Sequence, residues 1–234
     1  MTRRYFAPDL PSIGDSLGLS AEESQHATRV MRLEVGDRLT LFDGLGSESE
    51  AEVIQVARNL CEVRIESKAT VDREPACTIH LAIALPKPDR SRELIERLTE
   101  LGVHRVTPLV AERTQRPPSE SLLDKLRRGV VEACKQCGRN QLLQVTDPIP
   151  SSDFLQTPCD TVKWIADPQG DQPLVLKAES PSDVVVAIGP EGGWTPQERE
   201  LAAANGFESV GLGKRIYRIE TAATVFAAVL ASSG

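Results

Sequence analysis

The 234-residue chain is 40% hydrophobic and 26% charged, a balance that excludes disorder along its whole length. No stretch approaches the ~20 apolar residues that a membrane-crossing helix needs. The opening Met1–Pro8 has basic residues with no apolar run behind them, so no secretory signal, no membrane partner and a cytoplasmic location are expected. As a sum, the net charge of −7 weighs against a polyanionic partner, but Leu85–Arg139 holds 12 Lys/Arg against 8 Asp/Glu. A basic central region leaves nucleic-acid binding on one face open.

The first ~70 residues read as mostly β. Leu39–Phe42 runs into Asp43-Gly44, a hairpin signal, and Ala51–Val56 and Cys61–Glu66 are further short strands. Ala21–Val30 is expected as a short helix, with Ser20 and Glu23 spaced for a capping box. This pattern predicts a small barrel, and polar Thr70–Cys77 with its Pro75 predicts the domain boundary, giving domains at 1–72 and 73–234.

Beyond the boundary, strands and helices alternate. Thr78–Leu85 is an apolar strand. Asp89–Leu101 is a helix with Leu94, Ile95, Leu98 and Leu101 on one face, stopped by Gly102. Arg105–Val110 is a strand and Ser121–Cys137 a helix. Val162–Ala166 and Val184–Ile188 are buried strands, and Ser180–Ser182 is a loop. Thr195-Pro196-Gln197-Glu198 opens a helix that Gly206 stops, and Thr221–Ala231 is a last apolar helix. Alternation of this kind predicts an α/β domain with a mainly parallel sheet.

Two glycine-bearing bends carry the chemistry. In the first, the strand ending at Ile188 enters Gly189-Pro190-Glu191-Gly192-Gly193 before a helix. Ligands of open α/β sheets bind beyond the carboxyl ends of strands. The bend lacks the Lys-Ser/Thr of a P-loop and the G-x-G-x-x-G of a dinucleotide site, so a ring read through backbone groups suits it better than a triphosphate. A tight structural turn accounts for it equally. In the second bend, Gly211 and Gly213 precede Lys214, Arg215 and Arg218, just ahead of a helix starting near Glu220 or Thr221. Three cations at the positive end of a helix suit an anion such as RNA phosphate, although a solvated loop is the plainer alternative.

Other features read as structural. Cys134-Lys135-Gln136-Cys137 has metal spacing without the further ligands a zinc site needs, and the five cysteines read as free buried thiols. His80, within an apolar strand, reads as a satisfied core residue. No metal is expected.

The pairing of Ile188–Gly193 with Leu212–Ala222 resembles the RsmE family of SPOUT-class methyltransferases, which act on N3 of a uridine in 16S (small-subunit) rRNA. Shorter matches run in the same order: Arg4-Tyr5-Phe6, His26–Arg32 with Met31 for the usual leucine, Glu100–Val103 with Pro108, and Glu132–Arg139 with Cys137 for the usual serine. Tyr217 stands where the family usually has leucine. The resemblance implies a PUA-like β-barrel that binds RNA, followed by an α/β SPOUT domain with a trefoil knot, and a homodimer. It further implies S-adenosylmethionine (SAM) as methyl donor, held by Ile188, Gly189, Glu191, Gly192, Leu212, Gly213, Ile216 and Tyr217. Arg218 is the expected catalytic residue, its guanidinium facing the charge that develops on the uracil oxygens. Glu191 and Glu220 are both open as proton acceptors. Arg3, Arg4, Arg29, Arg32, Lys214 and Arg215 are the expected RNA contacts, with 16S rRNA or the small ribosomal subunit as partner. The competing expectations are a SPOUT enzyme acting on another RNA such as tRNA, and a catalytically inactive RNA-binding or ribosome-assembly protein.

Overall fold

A computed structural model of the chain describes residues 3–170, 172–173 and 183–232. The expected Ser180–Ser182 loop lies outside the described residues. The chain divides into two compact units, Met1–Glu74 with Val131–Leu142, and Pro75–Val130 with Leu143–Gly234. This grouping differs from a single cut near residue 72 in placing Val131–Leu142 with the first unit.

The first unit is built on a six-stranded sheet of β1 (Arg4–Phe6), β2 (Ser16–Gly18), β3 (Arg38–Phe42), β4 (Ser47–Ala57), β5 (Leu60–Ile65) and β6 (Ala69–Thr70). Their order is β1-β3-β4-β5-β2, with β6 on β4. Alternation sends Cys61, Val63 and Ile65 of β5 inward, against Tyr5, Leu39, Leu41 and Val53, and turns Arg64 to solvent. The expected Ala21–Val30 helix is not uniform. α1 (Ala21–Gln25) is capped by the Ser20 hydroxyl, which accepts from the Glu23 N–H at 3.2 Å. His26–Val30 then widens into a π-helical segment.

The Glu23 carboxylate accepts from the Lys135 ammonium at 3.0 Å and from the Phe6 N–H at 3.3 Å. Lys135 and Glu23 are both buried, so this ion pair ties Val131–Leu142 into the first unit. A buried charge is tolerated only when paired.

Arg4 corrects an expectation. It is 8% exposed, bonds Glu48 at 3.0 Å and also bonds Asn140. The Glu48 carboxyl is pulled down to about 2, first by hydrogen bonds from Arg73 and then, against the cost of burial, by those from Arg4. A guanidinium committed in this way serves the fold, and Arg4 leaves the set of RNA contacts. The thiols also divide: Cys61, Cys77 and Cys134 are buried, but Cys137 and Cys159 are exposed.

The second unit holds an eight-stranded sheet, β7 (Thr78–Ile83), β8 (Arg105–Val110), β9 (Gln144–Val145), β10 (Ile149–Pro150), β11 (Val162–Ala166), β12 (Gln172–Pro173), β13 (Asp183–Ile188) and β14 (Glu208–Gly211). The order is β10-β8-β7-β13-β11-β14-β12, with β9 on β8, and the strand pairs are parallel. Central strands of such sheets are buried on both faces, which is why β7 and β13 read as near-continuous apolar runs. Its helices are α2 (Pro88–Glu100), α4 (Ser151–Gln156), α5 (Pro196–Ala204), α6 (Ile219–Ala231) and the first part of α3 (Glu120–Cys137), whose residues from Val131 on are grouped with the first unit. α2 packs on α6 and α4 on α5. α6 begins two residues earlier than expected, and Arg218 is its N-cap.

Strand order positions the site. β13 and β14 follow one another in the chain, yet β11 lies between them. Register sets Ala166 of β11 abreast of Ile188 of β13 and of Val210 of β14. Three chain segments therefore leave the same edge of the sheet side by side.

Candidate cofactor and substrate site

A cavity of about 560 Å³ opens at this edge, within the range of small-molecule sites. Its apolar lining includes Ile188, Trp194, Val210, Leu212 and Phe226, and its cations include Arg113, Arg199, Arg215 and Arg218.

The first bend leaves β13 and is held by two anchors. The Trp194 indole N–H donates to the Ala166 carbonyl at 3.1 Å, tying the bend to the end of β11. Thr195 and Glu198 form the capping box that starts α5. Burial pushes the Glu198 carboxyl up, but the Thr195 N–H, the Ser151 hydroxyl and the Glu112 N–H outweigh it and keep the group below its usual range. A Cβ built on Gly189 would lie 2.8 Å from the Trp194 ring, so a side chain there would displace the indole.

The second bend follows β14. Its backbone passes close to the chain after β11: a Cβ on Gly170 would lie 2.7 Å from the Gly211 nitrogen, and one on Gly211 would lie 3.2 Å from the Gly170 carbonyl oxygen. The Arg215 guanidinium donates to the Tyr217 hydroxyl at 3.1 Å. Arg218 is exposed, lines the cavity and makes no side-chain capping bond to its own helix. Glu220 faces Arg90 across 3.6 Å.

Of the residues that the sequence assigns to a cofactor, Ile188, Gly189, Glu191, Gly192, Leu212, Ile216 and Tyr217 line the cavity, whereas Gly213 does not. Gly213 has φ +104°, so its part is to bend the chain. Arg215 lines the cavity and Lys214 does not. Among the described residues no His, Cys, Asp and Glu side chains cluster in a way that could hold a metal ion.

A family profile described as "RNA methyltransferase domain" matches residues 73–231, and one described as "RNA methyltransferase PUA domain" matches residues 19–66. The ribosomal RNA small subunit methyltransferase E of Synechocystis sp. is 36% identical over 213 residues, 88% of this chain and 70% of that protein. The chain belongs to the RsmE family of SPOUT-class RNA methyltransferases. A solved methyltransferase of Legionella pneumophila, in complex with the bound cofactor SAM, is 35% identical with a TM-score of 0.91 over 98% of this chain and 97% of that one. The RsmE of Neisseria gonorrhoeae, solved bound to S-adenosyl methionine, is 30% identical with a TM-score of 0.90 over 97% of this chain and 96% of that one.

The fold that an RsmE-family chain requires is therefore a mainly parallel α/β domain preceded by a PUA-like domain. The residues at the cavity fit such a cofactor. Apolar walls suit an adenine ring, and Gly189 and Gly192 on the lining bring backbone to the cavity where side chains would crowd it.

Sequence reasoning missed a third wall of this cavity, Ala166-Asp167-Pro168-Gln169. Asp167 is buried, accepts from the Gln169 N–H at 2.9 Å and faces Arg199 across 3.5 Å. The signal was present: Asp-Pro-Gln-Gly directly after a buried strand is a turn at a carboxyl edge. Arg113, in the loop after β8, was missed as well.

Proposed function

We propose that this chain transfers the methyl group of SAM to N3 of a uridine in 16S rRNA. The register that sets Ala166, Ile188 and Val210 abreast, with Arg218 on the rim of the cavity they open into, carries this reading. SAM supplies an electrophilic methyl on a sulfonium, so the protein's part is orientation and electrostatics. The walls after β11, β13 and β14 hold the donor and keep water from it. Arg218 places a guanidinium where negative charge grows on the uracil O2 and O4 as N3 loses its proton. Arg90 engages Glu220, which leaves Glu191, on the cavity wall, and water to accept that proton.

The PUA-like unit and the cations Arg3, Arg29, Arg32, Lys214 and Arg215 hold the RNA. The acting species is a homodimer in the cytoplasm, and its partner is the small ribosomal subunit or its rRNA. The strand order β13-β11-β14 supports a trefoil knot in which the C-terminal segment threads the preceding loops, an exception to the rule that chains do not thread.

The test is to incubate purified protein with small subunits lacking the modification and with labelled SAM, then map the methyl by mass. The expected product carries it on N3 of one 16S uridine. Label on tRNA instead would replace the target, and SAM binding without transfer to any RNA would leave a ribosome-assembly protein.

A further inference from the structure

Asp167, in the turn after β11, and Arg199, on α5, meet on the lining of the cavity. Asp167 is held rigidly. Its N–H donates to the Val210 carbonyl at 3.1 Å and its carbonyl accepts from the Gly170 N–H at 2.9 Å, so its backbone is fixed between β11 and β14. The side chain is 8% exposed, and a carboxylate buried to that degree needs partners. It accepts from the Gln169 N–H at 2.9 Å and faces Arg199 across 3.5 Å. A carboxylate offers about four acceptor positions, so most of its capacity is unused among the described residues.

Arg199 is the matching half. Its separation from Asp167 exceeds the ~2.8 Å of a charge-assisted hydrogen bond, and its guanidinium donates no hydrogen bond among the described residues. It follows the Thr195 N-cap by four residues, near the positive end of α5, where the helix dipole favours an anion rather than a cation. The other charges of the lining are engaged or stand elsewhere. Arg113 holds the Gly192 carbonyl and Arg215 the Tyr217 hydroxyl. Arg218 and Glu191 are exposed and belong to the reacting base. Asp167 is thus the buried carboxylate of the lining, with an uncommitted guanidinium beside it.

We propose that Asp167 and Arg199 bind the amino-acid end of SAM, Asp167 accepting from its ammonium and Arg199 donating to its carboxylate. This assignment rests on SAM as the donor and names the residues that hold the part of it beyond the sulfonium from the adenine. An α-amino acid head carries an ammonium and a carboxylate on one carbon, and the pair presents the complementary charges side by side. A ribose diol needs no guanidinium beside the carboxylate that reads it, and a sulfonium is repelled by one. Fixing this end orients the sulfonium without touching the methyl, so both are positioning residues.

Calorimetry of the full chain with truncated ligands tests the pair. Arg199→Gln lowers the affinities for SAM and for S-adenosylhomocysteine alike, by about tenfold, the worth of one charge-assisted hydrogen bond. Decarboxylated SAM, which keeps the ammonium, binds wild type about tenfold more weakly than SAM does, and R199Q weakens it no further. Methylthioadenosine, which keeps adenine and ribose but lacks the amino-acid end, binds both proteins equally. Asp167→Asn weakens SAM, S-adenosylhomocysteine and decarboxylated SAM and leaves methylthioadenosine unchanged; should D167N fail to fold, R199Q decides. Equal loss of methylthioadenosine affinity would make the pair a brace for the turn or a ribose contact. Loss for SAM without loss for S-adenosylhomocysteine would put the pair at the sulfonium, and wild-type SAM affinity in R199Q would leave the arginine without a ligand. Each of these overturns the proposal. Because every readout is binding, a wild-type protein that shows the expected pattern but methylates no rRNA would sink the proposed function alone.

Discussion

The Arg113 guanidinium donates to the carbonyl oxygen of Gly192 across 2.8 Å, fastening the first glycine bend to the loop after β8. A Cβ on Gly192 would sit 3.2 Å from that of Arg113, so bond and packing act on the same turn. Arg113→Ala is expected to weaken SAM binding about five- to tenfold, the effect of losing one partly exposed charge-assisted hydrogen bond. Calorimetry checks it, and wild-type affinity would show that the bend holds its shape unaided.

Arg218 has a different signature. It lines the cavity without bonding its own helix, so its guanidinium is available to reacting atoms. Arg218→Ala is expected to lower single-turnover methyl transfer by about 100-fold or more with SAM affinity within about twofold of wild type. Arg218→Lys should recover part of the rate. Rapid-quench transfer with labelled SAM distinguishes this from a variant that merely binds the donor poorly.

Gly170 tests the close approach of two chain segments. Its Cβ would meet backbone atoms of Val210 and Gly211 at 2.7 to 3.0 Å, and backbone cannot rotate away. Gly170→Ala should destabilise the protein by about 1–3 kcal/mol and weaken SAM binding, because the second bend must shift. Gly129→Ala in α3, where a Cβ meets nothing within 4 Å, is the control and should be neutral or stabilising by up to ~1 kcal/mol. Thermal unfolding of the pair checks both.

His80 predicts an acid limb in stability. Burial, with the nearby charges of Arg105 and His104, pushes its pKa down to about 4 from an ordinary 6.5, and its ring bonds Thr107 at 2.9 Å. The unfolded chain binds this proton more readily than the folded one between those values. The contribution is therefore complete above pH 6.5 and is lost as pH falls toward 4. Its loss between pH 7 and 4.5 is about 2–3 kcal/mol. Urea unfolding of wild type and His80→Gln across this range should show a shallower acid decline in the variant.

The sequence made legible whatever depends on short range. Apolar runs marked β7 and β13 because strands buried on both faces need no alternation, and the glycine bends stood out because they follow such strands directly. What depends on strand order was not legible. The Asp167–Gln169 turn became part of the cavity wall only once β11 was inserted between β13 and β14, a placement set by long-range pairing. Arg4 read as a surface cation because its partners, Glu48 and Asn140, lie 44 and 136 residues away. The attachment of Val131–Leu142 to the first unit was hidden likewise, since the Lys135–Glu23 pair spans 112 residues.

A crystal structure of this protein grown with SAM is the most direct test. It should show the donor inside the cavity bounded by Ala166–Gln169, Ile188–Gly193 and Leu212–Arg218, with its methyl open to the side where Arg218 stands. A donor bound elsewhere on the chain, or a cavity still empty at millimolar SAM, would contradict the assignment.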